Sequence, residues 1–215
     1  MGKIAIFGTG GHAKVVYDII LKQKEYETVC FFSLADNLKS FLNIPHYHQD
    51  EFASSEIFKG VVAIGDNFIR AKTVNLIKKY KPNFEFISAI HPQSIIDRST
   101  VKVGAGAVVM ANAVINPSAI IGDHVILNTS CTVDHDSVLH NFSSLAPGVN
   151  LGGNVILDEF ASVGLGANVI HGVTIGAHSV IGAGAAVVGN ISAYKVAYGV
   201  PCKEQKTRLA GDRYL

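Results

Sequence analysis

The densest run of proton-handling side chains in this chain is Asp134-His135-Asp136. An imidazole changes charge near neutral pH, and a carboxylate beside it can orient the ring and raise its basicity. General-base catalysis needs that combination, and either acid could serve. The other reading of the triplet is a polar corner with no chemistry. A second run, Gly8-Thr9-Gly10-Gly11-His12-Ala13, follows a short apolar segment and opens a helical pattern. Free backbone N–H groups at such a helix start favour phosphate. Equally, the run could be a tight strand–helix turn with no ligand. Gly65-Asp66-Asn67 falls at the end of another apolar run, where open parallel sheets bind ligands. Two such turns on one sheet edge favour a nucleotide. The remaining histidines include His140 and His171; His124 and His178 are read as solvated corners.

Two kinds of element must position these groups. Residues 1–92 alternate strands with helices: strands at Lys3–Phe7, Thr28–Phe32, Val61–Ile64 and Phe84–Ile87, and helices over 12–24 and 68–80. The first helix carries Val15, Val16, Ile19 and Ile20 on one stripe; the second carries Ile69, Thr73, Leu76, Ile77 and Tyr80. Alternation of this kind implies a small parallel, Rossmann-like α/β sheet. His91-Pro92 marks a change of grammar. From Val103 to Val187 every sixth residue is aliphatic, fifteen in succession, and two residues before each stands a small or β-branched one. A six-residue period is the mark of a parallel β-helix, three sixes to each coil and about five coils here, over residues 93–200. The aliphatics point inward, so His135 falls at a corner outside the core. Gly104, Asn112, Gly122, Asn128, Gly152, Gly164, Gly176 and Gly182 are expected to supply corner conformations that β-branched residues cannot adopt. No long loop interrupts any coil. Residues 201–215 read as a tail, helical or a loose cap.

Composition removes several function classes. With 18 basic and 17 acidic residues the formal net charge is +1, too weak a field to recruit nucleic acid or an anionic membrane. No apolar run is long enough to span a bilayer. The opening apolar run is too short for a signal-peptide core, which reads as cytoplasmic. Cys30, Cys131 and Cys202 are widely spaced and fit no disulfide or metal pattern.

The stretches Ile6–Val16, Ala63-Ile64-Gly65-Asp66-Asn67 with Ile69-Arg70, Asn128-Thr129 with Asp134-His135-Asp136, and Gly199-Val200-Pro201 together resemble the NeuD/PglD-like acyltransferases over nearly the whole chain. The resemblance implies a left-handed β-helix, a homotrimer with sites between subunits, and acetyl-CoA as acyl donor. The acceptor would be the 4-amino group of a nucleotide-linked (UDP, dTDP or GDP) 4-amino-6-deoxy sugar of bacterial surface glycan synthesis. It assigns His135 as general base, Asp136 as its supporting acid and Asn128 as a residue near the acceptor. Gly10, Gly11, His12 and Gly65 would hold the nucleotide, and Ser144, Gly153, Leu165 and Ala183 the coenzyme. Two departures stand out. The family often has paired Asp residues after the second strand, where this chain reads Phe31-Phe32-Ser33-Leu34-Ala35-Asp36. Ser144 stands where some members have His. Gamma-class carbonic anhydrases share the coil and bind zinc through three histidines. Here Ser99 and Gly176 interrupt that set, so no metal is expected. Two other readings remain: O-acetylation of a sugar such as a sialic acid, and a catalytically inactive trimeric scaffold.

Overall fold

The computed structural model describes residues 2–35 and 38–214, so Asp36 lies outside the described residues. The chain opens with β1 (Gly2–Phe7), α1 (Gly11–Gln23), β2 (Tyr26–Ser33), β3 (Ser40–Phe41), β4 (Ile44–His48), a 3-10 turn at Gln49–Ser54, β5 (Lys59–Val62), α2 (Asn67–Tyr80) and β6 (Glu85–Phe86). These strands form one sheet in the order β3-β4-β2-β1-β5-β6, parallel except for the β3–β4 hairpin. Strand β1 is central and wholly apolar from Ile4 to Phe7, with all four residues buried, as a strand covered on both faces must be. One face packs α1 through Ala13, Val16, Ile19 and Ile20, a cluster that continues onto Val108 and Ile126 of the coil. On the other face Phe7, Phe32, Phe52 and Phe84 meet mostly edge to face.

From Ala89 onward the chain winds as a left-handed parallel β-helix of two-residue rungs. The first face runs Ala89, Val108, Ile126, Ser144, Ser162, Val180, Val196; the second runs Ile95, Val114, Thr132, Asn150, Asn168, Ala186; the third runs Lys102, Ile120, Val138, Ile156, Thr174. Inward aliphatics and the small residues two places earlier form one continuous core, from Val109 to Ala197. Ser137, Ser143 and Ser179 belong to that small set, and each buried hydroxyl donates to a corner carbonyl.

The corners work differently from expectation. Every sixth residue from Gly106 to Gly184 has a positive φ, and most of them are not glycine: Asn112, Ser118, His124, Ser130, Asp136, Phe142, Asn154, Phe160 and His178. Of the residues expected to supply unusual corner conformations, only Asn112 does so. The expected corner glycines have another reason. A Cβ on Gly164 would stand 2.6 Å from the Ile181 carbonyl oxygen, so glycine there permits the close approach of the next coil. The non-glycine left-handed residues are held by neighbouring coils instead: the His124 N–H donates to the Ala105 carbonyl at 2.8 Å and the Phe142 N–H to that of Asp123 at 3.0 Å.

One corner column is a stack of rings. His124, Phe142, Phe160, His178 and Tyr194 lie face to face with centroids 4.5–5.3 Å apart. His124 and His178 are therefore members of an aromatic column, not solvated corners, and His124 is only 2 % exposed. The tail also departs from expectation. Lys203–Thr207 is a strand that turns back antiparallel on Lys195–Tyr198 and closes the upper end of the first face. No helix among the described residues is long and apolar enough to cross a membrane.

Candidate active site

His135 and Asp136 lie in the turn between the Thr132–Val133 rung of the second face and the Val138–Leu139 rung of the third. Asp136 occupies the left-handed position (φ 59°), which swings its carboxylate beside the preceding ring. His135 Nδ1 lies 2.8 Å from Asp136 Oδ2. An ionised carboxylate only accepts, so Nδ1 carries the hydrogen and the Nε2 lone pair of the neutral ring is left free. The Asp136 hydrogen bond holds the His135 pKa above its ordinary value. Asp134 has a different task. Its Oδ1 accepts from the His135 backbone N–H at 2.8 Å and from Asn116 Nδ2 at 2.7 Å, and these bonds keep its carboxyl below the usual range. Of the two flanking acids, only Asp136 reaches the ring.

Gly153 lies one coil above His135. A Cβ there would stand 2.6 Å from both Cε1 and Nε2 of the imidazole, so the ring occupies the space that glycine leaves open. His171 follows two coils above His135 in the same column and is exposed. Among the described residues no group of three His, Cys, Asp or Glu side chains is placed to hold a metal ion.

The turn after β1 separates its glycines by role. Gly8 has φ 125°, and a Cβ there would come within 2.7 Å of the Ala63 carbonyl oxygen, so the fold itself requires glycine. Gly10 and Gly11 have open space where a Cβ would stand, and neither has a positive φ. Gly10 is the N-cap of α1 with no side-chain cap, which leaves the first helical N–H groups without that partner. His12 is held differently. Its Nε2 is buried and unpartnered, and burial, with the Arg70 charge nearby, lowers its pKa to about 4.

His12, Gly65, Asn128, Ser144, Ser162 and Tyr214 line one small cavity between the turns at the sheet edge and the first face of the coil. Ser144 Oγ donates to Ser162 Oγ at 3.2 Å on its wall. Ser144, expected beside the coenzyme, thus stands with the residues expected at the acceptor. Leu165 and Ala183 sit at the corner between first and second faces, two and three coils above Asn128, and both are exposed. Gly153 sits at the next corner, with His135. One chain therefore brings His12, Gly65, Asn128 and Ser144 together and, separately, His135, Asp136 and Gly153.

A second cavity, of about 190 Å³, opens at the carboxyl ends of β1 and β2 and is lined by Gly8, Ser33, Leu34, Gln49, Ile69 and Thr73 among others. Its rim is ordered by a relay of hydrogen bonds. Thr9 Oγ1 donates to Ser33 Oγ (3.1 Å), Ser33 Oγ lies 2.8 Å from His46 Nε2, and His46 Nδ1 lies 2.6 Å from the Leu38 carbonyl. Because a carbonyl only accepts, Nδ1 donates to it and the Ser33 hydroxyl donates to Nε2. Sequence reasoning missed Ser33, Gln49 and His46. The carboxyl end of β2 was a usable signal for Ser33; His46 lies within the β3–β4 hairpin and Gln49 directly after it, with no periodicity to announce either. Tyr214 was missed as well, since it reaches the cavity only through the fold of the tail.

Residues 3–77 match the PglD N-terminal domain family. UDP-N-acetylbacillosamine N-acetyltransferase of Bacillus subtilis is 34% identical over 118 residues, which spans 52% of this chain and about half, 52%, of that curated relative. PerB from Caulobacter crescentus, in complex with CoA and GDP-perosamine, superposes with a TM-score of 0.89 at 37% identity, covering 96% of this chain and 98% of that one. The acetyltransferase domain of PglB from Neisseria gonorrhoeae, in complex with acetyl coenzyme A, gives 0.86 at 33% identity over 94% and 98%. This chain belongs to the NeuD/PglD-like sugar acetyltransferases. Within the run Phe31–Asp36, where this chain departs from the NeuD/PglD-like pattern, Ser33 lines the second cavity and spends its hydroxyl on His46.

Proposed function

We propose that the protein transfers an acetyl group from acetyl-CoA to the amino group of a nucleotide-linked 4-amino-6-deoxy sugar, with His135 as general base. The observation that carries this reading is the Asp136–His135 pair, whose free Nε2 faces outward over Gly153. Nε2 takes a proton from the amine as its nitrogen attacks the thioester carbonyl. The C–N bond forms, the C–S bond breaks, and the proton held on His135 leaves with the CoA thiolate. The Gly153 backbone N–H, beside the ring, is our candidate donor to the oxyanion.

The nucleotide half of the acceptor is assigned to Gly10, Gly11, His12 and Gly65. The open space over both glycines and the unpartnered His12 Nε2 support this, because the fold accounts for neither. Asn128 contributes to the acceptor wall. Gly153, Leu165 and Ala183 are assigned to the coenzyme along the upper coils, with Ser144 shared between the two ligands. Because Asn128 and His135 stand at different corners of one prism, the working site requires the next copy, and we propose a homotrimer. The apolar column Ile120, Val138, Ile156 on the outer third face, with Ile120 43 % exposed, is the kind of surface an assembly would cover. We place the protein in the cytoplasm, and we set the boundary between sheet and coil at Ala89, the first rung, in place of residue 92, with the tail beyond residue 200 joined to the coil through Lys203–Thr207.

A panel of UDP-, GDP- and dTDP-linked 4-amino sugars with acetyl-CoA, read as free thiol released, tests the proposal. Turnover on an amino sugar that is lost in His135→Ala is the expected result. Turnover only on hydroxyl acceptors would replace it with O-acetylation, and no turnover on any acceptor would leave a scaffold.

A further inference from the structure

Arg70 is wholly buried, with 0 % exposure, on the first turn of α2. Its guanidinium donates to six oxygens, none of which belongs to a carboxylate. Nη1 reaches the carbonyls of Ile64 and Gly65, each at 3.0 Å. Nε reaches the His124 carbonyl at 2.9 Å. Nη2 reaches Asn67 Oδ1 at 2.7 Å and the carbonyls of Phe142 at 2.9 Å and Ser143 at 3.5 Å. A buried charge satisfied only by neutral dipoles is costly, and a fold that needed only stability would fill this space with apolar atoms. Arginine does something here that no apolar residue can. Its rigid planar fork ties three separate segments at once: the loop that follows β5, and the corner carbonyls of two successive coils. Asn67 extends the same clasp one coil higher, its Nδ2 donating to the carbonyls of Phe160 and Ala161 at 3.2 Å.

The loop so held carries Gly65, which faces Asn128 and Ser144 across the small cavity. We propose that Arg70 is a positioning residue for the acceptor: its guanidinium fixes the Ile64-Gly65 loop against the coil, and so sets the distance between the nucleotide-holding turns and the coil wall beyond them. The inference rests on the acceptor assignment given above. It also states which ligand should feel the residue. The acceptor spans sheet and coil, whereas Gly153, Leu165 and Ala183 all lie on the coil and are indifferent to how the sheet sits on it.

The test compares Arg70→Lys, which keeps the charge and loses the fork, and Asn67→Ala, which loosens the clasp without touching the charge. Calorimetric titration with UDP, GDP and dTDP, and separately with CoA, reads the two halves independently of turnover. For the nucleoside diphosphate that the unaltered protein binds, each variant should weaken affinity by about tenfold or more, with CoA affinity within about twofold; in turnover, KM for the acceptor should rise with KM for acetyl-CoA unchanged. If Arg70→Lys does not fold, Asn67→Ala decides. Unchanged nucleotide affinity in the folded variants overturns the inference while leaving the acceptor assignment intact. Parallel weakening of both ligands with a lowered melting temperature shows a general structural role and overturns it too. Failure of the unaltered protein to bind any of the three nucleotides overturns the acceptor assignment and the inference with it.

Discussion

The proposed role of His135 as a base rests on what its neighbours leave undone. Asp136 takes Nδ1–H and leaves Nε2 open, and Gly153 leaves the volume in which the ring lies. Each relation can be broken singly. The Asp136 bond raises the His135 pKa, so the ring becomes a free base only at a higher pH than an ordinary histidine. Asp136→Asn removes the charge, lowers that pKa, and should move the acidic limb of kcat/KM to lower pH while kcat falls by about 10²-fold; a limb that stays in place would refute the pairing. Gly153→Ala adds a methyl 2.6 Å from two ring atoms. The ring must then leave Asp136, and kcat should fall by about 10²-fold with little change in acceptor affinity. Wild-type kcat in that variant would show that the ring does not need the space. The triplet itself was legible in the sequence, since inward Val133 places His135 outside. Which of its two acids touches the ring came only from the family resemblance and not from the spacing, because it depends on the left-handed backbone at Asp136, and a six-residue period marks where a corner falls without marking its φ.

At the scale of elements, the six-residue period specified the coil almost completely, since the inward position and the small residue two before it leave no choice of register. The sheet was less legible. The expected stripe of α2 was Ile69, Thr73, Leu76, Ile77 and Tyr80; Thr73 and Ile77 are buried, yet Ile69 and Tyr80 are each 42 % exposed, and the buried face also takes in Asn67, Arg70, Ala71 and Val74. A hydrophobicity pattern cannot find a face whose first turn is polar because it caps another element's carbonyls. The ring column raises a similar point. His124 lies in it with Nδ1 buried and unpartnered, and burial lowers its pKa to about 4. Because the folded value lies below the unfolded one, the unfolded chain takes up the proton first as pH falls. Stability is therefore lost between about pH 6.5 and 4, and this residue's share reaches about 3 kcal/mol at pH 4. His124→Phe matches Phe142 and Phe160 in the same column at nearly the same φ. It should leave the melting temperature at pH 7 equal or higher and reduce the fall on going to pH 4.5; a fall as steep as wild type would show that His124 is not the group responsible.

At the scale of the whole molecule, the proposed trimer makes each chain the bearer of two half-sites, one where sheet meets coil and one at the His135 corner. Complementation tests whether they join between copies. His135→Ala removes one half and Asn128→Ala damages the other, so each trimer alone should be impaired. Trimers assembled from equal amounts of both should recover about a quarter of wild-type sites, since each interface then has an even chance of taking either half intact. No recovery on mixing would place both residues in a site within one chain. The same prism also explains its own finiteness. A parallel coil ends in a row of open N–H and C=O groups, and nothing in a repeating winding distinguishes its last turn from an invitation to add another. Here the strand Lys203–Thr207 pairs along that row on the first face, and it presents Lys203, Glu204, Gln205 and Lys206 to solvent. A tail that reads as an afterthought in the sequence thus stands where the next rung of the first face would pair, so a second prism stacked there would meet an antiparallel edge bearing Lys203, Glu204 and Lys206 in place of another apolar rung.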